Sequence, residues 1–163
     1  MFYNTRVLTS CELHIAASLL QQGECVAFPT ETVYGLGANA LASEAVAKIY
    51  LAKGRPSDNP LIVHCHSQAQ VGELVEVWPR EVQILMDKFW PGPLTIVLPK
   101  RPLIPSVVTG GLSTVAVRIP NHPLALDLIR TTGLPLAAPS ANISGRPSPT
   151  RAEHVWQDLA GKI

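Results

Sequence analysis

Cys25-Val26-Ala27-Phe28-Pro29-Thr30-Glu31-Thr32-Val33-Tyr34-Gly35-Leu36-Gly37 is the stretch that decides the fold class. Its apolar opening stops at a proline, as a short buried strand does, and hydroxyl-rich polar chain follows at once. Amphipathic segments stand on both sides. Upstream, Ser10 is placed to cap a helix over residues 10–22, with Leu13, Ala16, Ala17 and Leu20 on one face and Gly23 as the stop. Downstream, Ser43 is placed to cap a second helix that ends at Lys53 and Gly54. The alternation continues. Residues 61–65, 94–98, 115–119 and 136–138 read as strands, and residues 68–74, 80–89, 122–132 and 151–159 as helices. This pattern predicts an α/β (α+β) fold, and the length predicts a single domain over residues 1–163.

Composition narrows the function. Hydrophobic residues make up 47% of the 163 residues and charged residues 15%, which excludes a disordered, solvating chain. No apolar run reaches the ~18 residues of a membrane span, and the opening MFYNTRVLTSCELH lacks a basic-then-apolar leader. Three scattered cysteines, Cys11, Cys25 and Cys65, give no disulfide framework. They suit a reducing cytoplasmic setting, as small buried hydrophobes. Net charge is +1, so the whole chain is not a nucleic-acid coat. From Lys100 to Arg151, however, six basic residues face a single acid, Asp127. Either an anionic ligand or scattered surface arginines would account for that. Fifteen prolines, against a usual share of ~5%, fix loop shapes beside apolar runs.

The unusual material sits at strand ends, where ligands bind in open α/β sheets. Residues 29–37 offer hydroxyls, a carboxylate, a phenol and two glycines, suited to a small polar ligand or to a tight turn. Lys53 and Arg55 flank Gly54 just past a helix end. They would complement the helix dipole or clamp a phosphate, the lysine as a point charge and the arginine as a planar fork. There is no P-loop and no GxGxxG, so any nucleotide would be held by side-chain cations and short polar loops. His64-Cys65-His66 lacks the partners of a metal site, because alternation turns Cys65 away from the two histidines. In residues 114–120 alternation puts Thr114, Ala116 and Arg118 on one face. A buried arginine needs an anion there, either a ligand carboxylate or phosphate or an internal salt bridge. Residues 138–150, APSANISGRPSPT, set hydroxyls, an amide and an arginine between rigid prolines, a donor array for phosphate oxygens.

Taken in order and spacing, PTETVYGLG, KGRPSDNPLIVH, FWPGPLTIVLP, TVAVRIPNHP and APSANISGRPSPT resemble the YrdC-like family of threonylcarbamoyl-adenylate synthases over residues 9–150. The resemblance implies a twisted mixed sheet flanked by helices around a deep basic cavity. It implies a nucleotidyltransferase that makes L-threonylcarbamoyl-AMP and pyrophosphate from L-threonine, bicarbonate and ATP with Mg²⁺. The product would serve threonylcarbamoylation of adenosine 37 in ANN-decoding tRNAs. A tRNA contact and a separate threonylcarbamoyl transferase complex are the implied partners.

Matched motif by motif, Lys53 and Arg55 would be catalytic, and Lys53, Arg55, Asn59, Ser140, Asn142 and Ser148 would surround ATP. Thr32, Tyr34, His64, Thr114 and Arg118 would hold threonine, and the resemblance implies no protein-held metal. The family pattern runs on past the SPT loop through further strands with another arginine, for which this chain has no counterpart. An RNA-binding module without chemistry, or a carbamoyl-handling domain as in hydrogenase-maturation proteins, are the competing expectations.

Overall fold

The computed structural model describes residues 4–163. Residues 1–3, part of the stretch read against a leader, lie outside the described residues. A 3-10 turn at Ser10–Glu12 opens onto α1 (Leu13–Gln21), β1 (Val26–Phe28), β2 (Gly35–Asn39) and α2 (Ser43–Lys53). Next come β3 (Ile62–His64), α3 (Gln68–Leu74), α4 (Arg80–Phe89), β4 (Ile96–Pro99) and α5 (Ser106–Thr109). The chain closes with β5 (Thr114–Arg118), α6 (Pro123–Thr132), β6 (Leu136–Ala137) and α7 (Ala152–Leu159). The strands form one six-stranded sheet in the order β1-β2-β6-β3-β5-β4. β3 and β5 run parallel, and every other pairing is antiparallel. This is the mixed sheet flanked by helices that the family resemblance implies.

Strand alternation divides the core in two. Leu20, Phe28, Leu128, Ile129 and Leu136 pack together where α1 and α6 cover the sheet. Leu36, Ala38, Val46, Ile49, Val63 and Val117 belong to the larger core that includes α2. The parallel β3–β5 register sets His64 beside Arg118 at the strand ends. That register places the two polar side chains next to each other for chemical use.

The sequence was read as loop through residues 29–37, but β2 begins at Gly35. Its glycines hide the strand signal. Gly37 pairs with Val26, and a Cβ at Gly37 would stand 2.6 Å from the Phe28 ring. The backbone therefore does approach closely, against an aromatic side chain of its own core. Other differences lie at element ends. Thr9 rather than Ser10 precedes the opening turn, and its N–H donates to the Glu12 carboxylate at 2.9 Å. Ala42, not Ser43, holds the cap position of α2. α5, between Pro105 and Gly110, is too short to leave a periodic trace.

Cys65 is a buried core residue and Cys25 is half-buried, whereas Cys11 is exposed on the opening turn, so the buried-thiol expectation fails there. Among the described residues no helix is long and apolar enough to cross a membrane.

Two glycine substitutions should move stability in opposite directions. Gly37→Ala must displace the buried Phe28 ring and should cost about 1–3 kcal/mol, as overpacking does. Gly72→Ala lies inside α3, where the new methyl meets the Trp78 ring at an ordinary 3.7 Å, and should gain about 0.5–1 kcal/mol. Urea midpoints of the two variants against the unmodified chain check both signs.

Candidate functional site

The first cluster grows from the end of α2. Gly54 closes the helix in the left-handed region, at φ 58°, which a residue with a side chain adopts only at a cost. The Arg55 N–H then donates back to the Tyr50 carbonyl at 3.0 Å. This tight reversal leaves Lys53 pointing inward, 1% exposed. Its ammonium donates to the carbonyls of Ser140 and Asn142, and its own carbonyl accepts from Ser144 N–H at 2.9 Å. Burial first, and then the Arg55 charge, push the Lys53 ammonium down to about 8 against the opposing charge of Asp158. Asp158 itself is engaged by Arg146 at 2.7 Å and by Ile143 N–H at 3.0 Å.

Arg55 is half-buried beside it. Its guanidinium donates to the carbonyls of Pro60 at 3.1 Å and Asn59 at 3.4 Å. The loop carrying Ser57, Asp58 and Asn59 is pinned from two sides. Tyr50 donates its hydroxyl to the Asn59 and Val107 carbonyls. On the other side, Gly110 packs so closely that a Cβ would stand 2.6 Å from the Asp58 carbonyl oxygen.

Residues 139–149 are stitched to the same region. Leu36 N–H donates to Pro139, Ala141 N–H to Tyr34, and Tyr34 N–H to Pro149, each at 2.8 Å. Asn142 is buried and donates its amide to the Ile143 and Arg146 carbonyls, while its Oδ1 has no partner among the described residues. That orphan acceptor lies on the loop whose carbonyls hold Lys53.

The second cluster gathers around Arg118, which is 8% exposed at the end of β5. Its Nε donates to the Gly92 carbonyl at 3.1 Å, and one terminal nitrogen donates to Thr32 Oγ1 at 3.3 Å. That same nitrogen makes a 2.7 Å ion pair with Glu31. The anion that answers this arginine is thus an internal carboxylate from the loop after β1. Burial alone would push the Glu31 carboxyl up. Hydrogen bonds from Arg118 and from the Asn121 and Glu31 backbones outweigh it and hold the carboxyl below its usual range. Burial and the Arg118 charge push the neighbouring His64 imidazole down to about 4, so it is neutral at pH 7. Its Nδ1 is buried without a partner among the described residues, and its ring meets Phe28 edge-on.

The structure therefore brings Lys53, Ser140 and Asn142 into contact and places Arg55 within electrostatic reach of Lys53. It also joins Thr32, His64 and Arg118. Tyr34 links the two groups through its backbone. Ser148 and Asn59 are exposed on the loops that flank Lys53. Thr114 opens β5 opposite Pro99, at the other end of the strand from Arg118. At ~3.3 Å per residue it stands roughly 13 Å away, outside the Arg118 cluster.

Glu31 is the residue that sequence reading missed. Its place between two threonines is the available signal, and its distance along the chain from Arg118 hides the pairing.

The basic run is largely spent within the fold. Arg130 pairs with Asp127 and Arg146 with Asp158, while Lys100 and Arg101 donate to the Ile104 and Val75 carbonyls. No three His, Cys, Asp or Glu side chains among the described residues come together to hold a metal ion. A cavity of about 560 Å³, lined mainly by apolar residues such as Leu13, Ala16, Val155 and Trp156, reaches Pro29 and Tyr34 of the candidate site. It contains none of the cations described above.

Comparison with known proteins follows from this geometry. The Sua5/YciO/YrdC family model, described as "Telomere recombination", matches residues 18–163. The chain is 59% identical over 152 residues to a threonylcarbamoyl-AMP synthase of Pyrococcus abyssi, covering 93% of this chain and 45% of that protein. It is 62% identical over 149 residues to one from Bacillus subtilis, covering 91% of this chain and 43% of that protein. The chain thus spans less than half the length of these curated relatives. A crystal structure of P. abyssi Sua5 complexed with L-threonine superimposes with a TM-score of 0.93 at 56% identity, covering 97% of this chain and 46% of that one. The match of the family model over residues 18–163 places the chain in the Sua5/YciO/YrdC family.

Proposed function

We propose that this chain is the catalytic domain of an L-threonylcarbamoyladenylate synthase, using L-threonine, bicarbonate and ATP. The observation that carries the reading is the convergence of two polar clusters on one scaffold. Residues 29–34 are tied by Tyr34 to the loop beside Lys53, and by Glu31 and Thr32 to Arg118. A cationic niche thus adjoins one suited to a small amino acid. The curated relatives' shared name and the threonine complex of the P. abyssi protein support it.

In this reading the threonine amine and bicarbonate give an N-carboxylate and water. A carbamate oxygen attacks the α-phosphorus, the new P–O bond forms, and the bridging P–O bond to the β-phosphate breaks to release pyrophosphate. Charge develops on phosphoryl oxygens, so catalysis is positioning plus cationic stabilisation. Lys53 and Arg55 supply the cations. Lys53 uses two of its three N–H groups on backbone carbonyls, leaving one for a phosphate oxygen. Arg55 meets carbonyls only, and a phosphate would replace them with a charge-assisted bond. Ser140, Asn142, Ser148 and Asn59 line the nucleotide, and Thr32, Tyr34, His64 and Arg118 hold threonine.

Mg²⁺ enters as the counter-ion of the triphosphate. No group of three His, Cys, Asp or Glu side chains among the described residues is placed to hold it. The product, a mixed anhydride, is consumed by transfer to tRNA through a separate transferase complex. The free thiols suit a reducing cytoplasm.

Incubation with threonine, bicarbonate and ATP should yield a threonine-dependent AMP adduct by mass spectrometry together with pyrophosphate. ATP turnover that ignores threonine would overturn the reading. Lys53→Ala and Arg55→Ala should each slow adduct formation by about 100-fold or more, as for a lost transition-state donor. Pyrophosphate release at the unmodified rate would refute that role.

The charge on Lys53 also sets a pH dependence. Its ammonium is present below a pKa of about 8 and lost above it. In the free protein kcat/KM for ATP should therefore be level toward neutrality and fall above about pH 8. A profile flat to pH 9.5 would count against a charged Lys53 as the phosphate ligand.

A further inference from the structure

Arg118 carries the charge expected to meet a substrate carboxylate, yet that charge is already answered by Glu31 at 2.7 Å. The pair is mostly buried, with 10% and 20% of its two side chains exposed. Thr32 Oγ1 accepts from the same guanidinium nitrogen and contacts Thr30 Oγ1 at 3.0 Å. His64 beside them is neutral and offers an unpartnered Nδ1. The niche is therefore an ion pair of zero net charge flanked by hydroxyls and an imidazole, and not a lone cation.

Such a pair discriminates by what happens when it opens. A ligand carboxylate that takes Arg118 strands Glu31, a partly desolvated carboxylate with its strongest partner removed. An unpaired charge in such a place is costly. A plain hydroxy acid has nothing to give back. An α-amino acid zwitterion carries an ammonium next to its carboxylate, and so returns a cation to Glu31 as it takes one from it.

We propose that Glu31 is a specificity-determining residue that binds the ammonium of the incoming amino acid. The Glu31–Arg118 pair is exchanged, both halves at once, for the two charges of a zwitterion. This rests on the amino-acid niche proposed above and assigns it a second charged contact. Glu31 also keeps the guanidinium aimed while the niche is empty, since Arg118 is otherwise held by single hydrogen bonds to Gly92 and Thr32.

The test is a binding panel read by calorimetry on the whole chain. The ligands are L-threonine, 3-hydroxybutyrate (which lacks the amine) and L-threoninamide (which lacks the carboxylate). On the unmodified chain each analogue should bind at least about tenfold more weakly than threonine, the scale of one charge-assisted hydrogen bond. In Glu31→Gln, threonine should weaken about 10- to 100-fold while 3-hydroxybutyrate binds as well as before or better, so the preference between them collapses. Glu31→Asp, which keeps the carboxylate, should restore most of that preference.

An unchanged preference in Glu31→Gln, or an Asp variant no better than Gln, would overturn the proposal. Should Glu31→Gln fail to fold, the unmodified chain still decides: 3-hydroxybutyrate binding within threefold of threonine would mean that no carboxylate holds the ammonium. Failure of threonine to bind the unmodified chain at all would overturn the functional reading itself. Threonine binding with a preference indifferent to Glu31 overturns only this inference.

Discussion

The constraint on which the rest of this structure depends is the burial of the Lys53 ammonium. A charge taken out of water must be met by polar groups, and here they are the backbone carbonyls of Ser140 and Asn142. Those carbonyls are available because residues 139–149 are stitched to Tyr34 and Leu36. That stitching in turn requires β2 to lie between β1 and β6. Gly54 supplies the reversal that leaves the lysine inside while sending Arg55 onward to the loop that α5 and Gly110 hold. Carbonyls are partial charges, and they solvate the ammonium without neutralising it. The arrangement maintains a cation that still lacks an anion, and the lowered Lys53 pKa expresses that incomplete compensation.

Much of this was legible in the sequence because its signals are local. A helix ending in lysine, then glycine, then arginine announces a left-handed cap with two cations beside it. Alternation in TVAVR places Arg118 on a defined face before any partner is known. What stayed hidden is non-local or lacks side chains. β2 escaped because Gly35 and Gly37, the residues that let Phe28 lie against the strand, carry no strand propensity. α5 escaped because a single turn between proline and glycine has no period to detect. Alternation puts Thr114 on the same face as Arg118, and strand length holds the two apart.

Glu31 teaches a sharper lesson. Charge counting along a window made Arg118 look unpaired, because its partner lies 87 positions earlier in the chain. Sheet order removes that separation: β5 lies beside β3, and the loop after β1 reaches across to the same strand ends. The same correction applies to the basic run as a whole. Arg118, Arg130 and Arg146 meet Glu31, Asp127 and Asp158, while Lys100 and Arg101 meet carbonyls, so the excess counted along the chain is reduced in space.

The two clusters consequently differ in kind. Around Lys53 and Arg55, backbone carbonyls meet the two cations without neutralising them. Around Arg118, a salt bridge and a neutral imidazole leave almost no net field, so long-range attraction plays little part there. Recognition at the second cluster must come from exchanging short contacts, one for one, and that is a stricter demand than charge. Under the proposed function a triphosphate would gain from the first cluster by its charge, and a small amino acid from the second only by matching the positions of both opened charges. The fold thus separates attraction from discrimination, and Tyr34 joins the two halves through its backbone while contributing to neither an ionised group.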